Sequence, residues 1–271
     1  MIQIGYFRAF VLVTIIYTVA VSCNNFLARE DDERGIYYDL QYPLIPASTD
    51  GGPPEDIIAL YEEDASRMTV RMMLDLGGAA AAEIELPAGL TASLTNGLSA
   101  IYMASDIAAR DSVVDMFHVH TYVLTTVYQI NVIAGSAHIF MQAWSAGERF
   151  TGHSEIDSLM RRYDLHVKMY NVWSHNNYIA LLRSGRPLNA WALAKTFDAL
   201  ADVARSMPTR WLGDGSDITV ENGGKSWIYS FWYRWGDCQA GCGGAHQWSF
   251  RVSDEGVVTY LGSSGSSLPI R

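Results

Sequence analysis

Apolar side chains recur at helical spacing in four stretches of the chain. One stretch follows Glu55, a second covers 90–102, a third covers 154–163, and a fourth follows Asn189. Spacings of three and four residues place apolar side chains on one face of a helix. Asn189 is suited to cap the start of the fourth helix, and Pro208 is suited to stop it. We therefore predict four helices at these places.

Strand patterns, rich in β-branched and aromatic residues, are more numerous. They occur at 116–121, 123–134, 137–144, 165–173, 177–182, 218–221, 226–235, 247–252 and 257–261. Turn residues separate most of these runs, which favours antiparallel neighbours. Helices and strands in this mixed order predict an α+β fold, with antiparallel sheet and packed helices in one domain that covers 55–271.

Residues 24–54 are predicted to form an extended linker. They combine an acidic run at 30–33 with many Pro and Gly residues, which oppose regular structure. Tyr37, Tyr38 and Tyr42 add aromatic side chains to this segment. We expect them to lie against a protein partner.

Residues 1–23 form an apolar segment whose one charged side chain is Arg8. Its most apolar part, 9–21, is shorter than the roughly 20 residues of a transmembrane helix, and residues 2–7 bring it into range if Arg8 reaches an interface. We predict a membrane anchor or signal segment. Three forms stay open: an uncleaved anchor, a lipoprotein signal and a cleaved secretory signal.

The end of this segment, Ala20-Val-Ser-Cys23, resembles the bacterial lipobox. The resemblance makes Cys23 a candidate lipid anchor, although the lipobox usually has Leu where this chain has Ala20. Arg8 favours the cytoplasmic side, and the acidic run at 30–33 follows on the far side. All three forms therefore predict that the folded part faces the periplasm or the extracellular space.

Composition narrows the classes of partner. Hydrophobic residues make up 49% of the chain and charged residues 18%, which supports a real core. The formal net charge is −10, so nucleic acid and anionic lipid headgroups repel the protein. We expect no nucleic-acid partner.

Cys238 and Cys242 lie four residues apart near the C-terminus, and Cys23 is the remaining cysteine. When Cys23 is set aside, two cysteines remain in the folded part. In an oxidising compartment, we predict a structural disulfide between them. Because the loop it closes is very small, we expect it to shape a turn more than to add stability. A metal site completed by His246 and thiol redox chemistry are the alternatives.

The surroundings of this pair resemble the C-terminus of uncharacterised secreted or periplasmic bacterial proteins. The shared motif is W-G-D-C-x2-G-C-x3-H-x-W at 235–248, followed by D-E-G-V-V-x-Y-L-G at 254–262. The helix that follows Leu188 and the turn at 213–218 are similar to the same group. The resemblance implies export and a related fold, and it carries no activity.

His118 and His120 are the weak candidates for metal ligands. They alternate by two, so a strand would place both on one face. A metal site needs three or more convergent ligands, and the spacing of the other histidines provides none. Half-buried sheet histidines are the alternative, and we predict no catalytic residue and no cofactor.

Aromatic residues alternate along 226–235, where five of them share one strand face. This face is either core, packed on the helix that contains Phe197, or an exposed platform for a partner. The candidate partner contacts in the chain are Tyr37, Tyr38, Tyr42, Trp227, Trp232 and Trp235.

These features together predict a membrane-anchored periplasmic accessory or structural subunit. We expect it to act by protein–protein contact on a larger membrane complex, such as a respiratory or photosynthetic assembly. Two alternatives stay open. One is an exported metal-dependent hydrolase that uses His118 and His120, and the other is a surface lipoprotein that binds carbohydrate through the aromatic strand.

Overall fold

The computed structural model describes residues 42–49, 51–122, 125–210 and 213–269. The predicted anchor at 1–23, with Cys23, lies outside the described residues, as do Tyr37 and Tyr38. Within the described ranges, no helix is both long and apolar enough to cross a membrane.

The first third of the described chain is helical. Helices α1 to α4 span Glu55–Leu76, Gly78–Ala82, Ala88–Met103 and Ala108–Asp111, and a π-helical turn follows at Ser112–Met116. Helix α1 starts after Pro54, and two acidic residues in its first turn favour the positive end of the helix dipole. It ends at Gly77, whose φ of 68° is readily adopted by glycine. The first two predicted helices are therefore confirmed.

A first antiparallel sheet follows. Its strands are β1 (Thr125–Gly135), β2 (Leu165–Val172), β3 (Asn177–Ser184) and β4 (Arg205–Arg210), in the order β2-β3-β1-β4. Helices α5 (Ile139–Ser145), α6 (Ser154–Arg162) and α7 (Ala190–Asp198) belong to the same part of the chain. The helices and the sheet share one core, whose large side chains include those of Phe140, Trp144, Tyr163 and Phe197.

The second sheet is an antiparallel meander. Strands β5 (Asp217–Asn222), β6 (Ser226–Trp235), β7 (Gly244–Ser253) and β8 (Val258–Gly265) pair in chain order. Trp227, Tyr229 and Phe231 on β6 are at most 2% exposed and pack in one core with α1 and α3. This strand face therefore packs on α1 and α3, and not on the helix that contains Phe197.

Helix α3 approaches β6 very closely at Gly97. The hydroxyl of Tyr229 donates to the carbonyl of Leu94 at 3.1 Å, and a Cβ at Gly97 would overlap the Tyr229 ring and hydroxyl. Complete burial raises the pKa of Tyr229 well above its usual value. Glycine is required here because no side chain fits between helix and strand.

Helix α7 starts as predicted and ends earlier than predicted. The side chain of Asn189 accepts from the backbone N–H groups of Trp191 and Ala192. The helix ends at Asp198, whose carboxylate accepts from the N–H of Ser206 at 2.8 Å. Pro208 therefore lies in β4, an edge strand where a missing N–H is tolerated.

Two predicted strands are wrong. Residues 137–144 mostly form helix α5, because Phe140, Met141 and Trp144 are buried together at helical spacing. Residues 116–121 form the end of the π-helical turn and an irregular segment in which His118 has a φ of 46°. The N–H of Phe117 bonds to the carbonyl of Ser112, so this backbone follows the π turn and not a sheet.

The α+β fold with antiparallel sheets is confirmed. The compact unit begins at Tyr42, whereas the sequence placed the domain boundary at Glu55. Ile45 shows why, because its side chain is 3% exposed and belongs to the core beneath β6.

Candidate functional site

A groove of about 1090 Å³ runs along the surface formed by helices α1 and α3. Helix α3 provides one long side. The described residues 45–49 and 51–53, which form neither helix nor strand, provide another, the extended side. The turn between β7 and β8 closes part of the rim through Glu255 to Val258. We call this feature the α3 groove.

The extended side of the α3 groove is fixed by hydrogen bonds. The hydroxyl of Ser93 donates to the carbonyl of Pro43 at 2.7 Å and accepts from the N–H of Ile45 at 3.0 Å. The side-chain amide of Asn96 donates to the carbonyl of Ile45 at 2.8 Å. The indole N–H of Trp227 donates to the carbonyl of Pro43 at 3.1 Å. Pro43 and Ile45, which belong to the stretch that composition predicts as a linker, are thus bound to the domain.

The α3 side of the groove is made of small residues. They recur at helical spacing and are Ala88, Thr91, Ala92, Thr95, Ser99 and Ala100. The hydroxyls of Thr91 and Thr95 donate to the carbonyls of Pro87 and Thr91, at 3.2 and 3.0 Å. Their donor protons are therefore used within the helix. The Thr91 hydroxyl also lies 3.2 Å from that of Thr69, whereas the lone pairs of Thr95 remain as acceptors.

The charged residues that line the groove have one sign. They are Glu62 on α1, Asp106 after α3 and Glu255 in the β7–β8 turn, and no Lys, Arg or His is among the lining residues of the described chain. All three are exposed. In the described part of the molecule, none of these carboxylates forms a hydrogen bond or ion pair.

Large apolar side chains complete the rim. Met103 is 47% exposed and Val257 is 59% exposed, and both line the groove. Exposed apolar groups rimmed by polar residues are a feature of surfaces that contact another molecule. Sequence patterns did not reveal this site, because its sides come from segments distant in the chain.

A second polar cluster lies on the buried side of α1, around Asp64. The carboxylate is 1% exposed and accepts from the N–H and hydroxyl of Thr121, at 2.9 and 2.6 Å. Its other oxygen lies 2.6 Å from Nδ1 of His120, and a carboxylate can only accept, so Nδ1 carries the proton. Arg67 donates to the Thr121 hydroxyl at 3.1 Å. These contacts hold the irregular segment after the π turn on α1.

Asp217 holds the next residue of this segment. Its carboxylate accepts from the N–H of Tyr122 at 2.8 Å and pairs with Arg71 at 2.9 Å. Beside the cluster, burial and the negative charge of Asp64 raise the pKa of Tyr61. A tyrosine of this kind stays a neutral phenol.

His118 and His120 do not share a strand face, because their segment is irregular. His118 is exposed, whereas His120 is half-buried and bound to Asp64. No group of three His, Cys, Asp or Glu side chains suited to a metal ion occurs within the ranges that the structure describes. The two histidines are therefore not brought together as ligands.

A cluster that sequence reasoning missed joins two other histidines to Asp202. Nδ1 of His138 lies 3.6 Å and Nε2 of His153 lies 3.3 Å from its carboxylate oxygens. His153 also accepts from the N–H of Ile156 and so caps helix α6. The cluster links the starts of two helices to the turn before β4.

Cys238 and Cys242 lie in the connection between β6 and β7. Their sulfur atoms are at disulfide distance, 2.17 Å apart, as predicted for the pair. The carbonyl of Cys238 accepts from the N–H of Asp214 at 2.7 Å. The pair thus shapes a turn that contacts the entrance to β5.

The predicted aromatic contacts lie in different surroundings. Trp227 is fully buried, so it is a core residue and not a surface contact. Tyr42 is half-buried and lies 6.3 Å from Trp227 between ring centroids. Trp232 and Trp235 are half-buried, and Trp235 stacks on Tyr233 at 5.5 Å.

Comparisons with known proteins add no family to these observations. No protein-family model, no curated protein and no solved structure matches the chain.

Proposed function

We propose that this protein is a membrane-anchored accessory protein that acts by contact and holds a segment of a partner protein in the α3 groove. The groove is the observation that carries the proposal. It combines a volume of about 1090 Å³ with unpaired carboxylates and exposed apolar side chains. The apolar N-terminal segment supports attachment to a membrane, with the folded part on the periplasmic or extracellular face.

The shape of the groove favours a polypeptide segment over a compact ligand. Its α3 side reaches from Ala88 to Met103, which corresponds to about 22 Å at 1.5 Å per residue. An extended chain of about seven residues has this length. The partner would be a subunit of a larger membrane complex, of the respiratory or photosynthetic kind for example.

Site-specific photo-crosslinking in cells that naturally make the protein tests this proposal. A photoreactive amino acid replaces Met103, which lines the groove, or Val172, which is 67% exposed on β2 and does not line it. We expect one discrete protein adduct from position 103 and none from position 172. Absence of an adduct at 103, or the same adducts at both positions, would contradict the proposal.

A further inference from the structure

The lining of the α3 groove indicates the chemistry of its occupant. Resting on the function proposed above, we infer that the groove binds an extended polypeptide segment that carries Lys or Arg side chains. The inference depends on two independent properties of the lining, its charge and its hydrogen-bonding pattern.

Charge is the first property. Glu62, Asp106 and Glu255 come from three separate elements and converge on one groove. None of them has a hydrogen-bond or ion-pair partner among the described residues. An occupant with positive charges complements all three carboxylates, whereas an acidic occupant is repelled by each of them.

Hydrogen bonding is the second property. Four of the side-chain donors in the lining are used by the protein itself: the hydroxyls of Ser66, Thr91 and Thr95 donate to helix carbonyls, and Asn96 donates to the carbonyl of Ile45. Acceptors remain beside them, namely the hydroxyl lone pairs of Thr95 and the side-chain oxygen of Asn96. Ammonium and guanidinium groups are donors without acceptors, so they fit a lining that offers acceptors.

The apolar rim explains why a peptide fits better than a small polyamine. Met103, Val257 and Ile58 present aliphatic surface beside the carboxylates. A peptide whose basic and apolar side chains alternate covers both kinds of surface at once. A polyamine satisfies the carboxylates and leaves the aliphatic surface in water.

Fluorescence anisotropy with labelled heptapeptides tests the inference on the full-length protein in mild detergent. The probes are a peptide of alternating lysine and valine, the same peptide with glutamine for lysine, and the same with glutamate. We expect the lysine peptide to bind most tightly and the glutamate peptide not to bind. Raising the NaCl concentration from about 50 to about 300 mM should weaken the binding of the lysine peptide, because salt screens exposed charges.

Matched variants separate the groove from the overall negative charge. The groove variant carries Glu62→Gln, Asp106→Asn and Glu255→Gln, and the control carries Asp75→Asn, Glu148→Gln and Glu221→Gln. Both remove three exposed carboxylates, but the control residues do not line the groove. We expect about a tenfold loss of affinity for the lysine peptide in the groove variant, and less than a twofold loss in the control.

Each contrary result overturns the inference. Equal losses of affinity in the groove variant and the control would show that the lysine peptide is attracted by the net charge of the protein alone. Equal binding of the glutamine and lysine peptides would refute the charge complementarity while leaving the groove as a docking site, which the crosslink at position 103 tests separately. Full competition by spermine, at the affinity of the peptide, would make the occupant a small polycation instead.

Discussion

Glu62 and Asp64 lie two residues apart on helix α1 and carry the same functional group, yet their surroundings are opposite. Two residues turn a helix by about 200°, so the side chains face away from each other. Asp64 is buried and accepts from Thr121 and His120, whereas Glu62 is exposed in the α3 groove without such partners in the described chain. Burial and filled acceptor positions make one carboxylate part of the fold, and exposure leaves the other available to a partner.

The largest expected effect comes from Asp64→Ala. The substitution leaves the N–H of Thr121 and Nδ1 of His120 without their acceptor and removes a carboxylate 3.7 Å from the buried guanidinium of Arg67. Breaking a buried charge network costs about 3–5 kcal/mol of unfolding free energy. Urea unfolding followed by tryptophan fluorescence measures the loss.

Asp64→Asn is the conservative companion of that variant. Its carbonyl oxygen can still accept from Thr121, but its amide offers a donor where His120 already donates. We expect a smaller loss of stability than in Asp64→Ala. If both variants unfold at the wild-type urea concentration, Asp64 does not hold the irregular segment and the contrast with Glu62 disappears.

Helix α3, like α1, has one buried face and one face on the α3 groove. Gly97→Ala tests the buried face. Alanine favours a helix interior by about 1 kcal/mol over glycine, but here its Cβ would overlap Tyr229. Overpacking outweighs propensity, so we expect a net loss of about 2 kcal/mol. Ser99→Ala on the groove side is the matched control, with a change within about 0.5 kcal/mol. A stabilised Gly97→Ala protein would show that α3 can move away from β6.

Asp157 resembles Asp64, because it also accepts from the N–H and hydroxyl of a threonine, Thr151, and from the N–H of Gly152. Burial raises its pKa, but these hydrogen bonds outweigh burial and lower it below the usual value. A lowered folded pKa stabilises the fold above about pH 4, and this stabilisation is lost as the pH falls through the folded pKa.

Asp157→Asn should therefore lower the free energy of unfolding by about 1 kcal/mol at pH 7. One of the groups that donate to the carboxylate would then face the NH₂ group of Asn. The difference from wild type should shrink as the pH falls below about 4 and through the lowered folded pKa, because the wild-type carboxyl then becomes protonated. Urea midpoints measured across this range give the result. A constant difference at all pH values would show that the ionisation of Asp157 does not contribute.

Local pattern predicted the second sheet well and the middle of the chain poorly. Strand β6 has the predicted bounds because its alternate side chains are buried on one face. Helix α5 is only seven residues long, so its β-branched and aromatic residues favoured a strand until their burial against the first sheet decided otherwise. Helix α7 ends early, at Asp198, whose carboxylate accepts from the N–H of Ser206, a contact that the periodicity of the helix does not contain.

The candidate site was beyond sequence reasoning for a related reason. Its extended side is held by Ser93 and Trp227, which lie 50 and 184 residues from Pro43. The described residues 42–49 and 51–54 form neither helix nor strand, which agrees with their Pro and Gly content, but that content carries no information about such distant hydrogen bonds. The Cys238–Cys242 pair, by contrast, could be predicted because its two residues are close in sequence.

Glu62→Gln has the smallest expected effect on stability and is the sharpest test of the contrast with Asp64. The side chain is exposed and no described residue donates to it, so its replacement by an isosteric amide should change the unfolding free energy by less than about 0.5 kcal/mol. The same substitution should lower the affinity for the lysine–valine peptide about twofold, because one exposed ion pair contributes a few tenths of a kcal/mol to binding. A loss of stability comparable to that of Asp64→Ala would mean that Glu62 belongs to the fold, whereas unchanged stability with weakened peptide binding assigns the two carboxylates of α1 to different tasks.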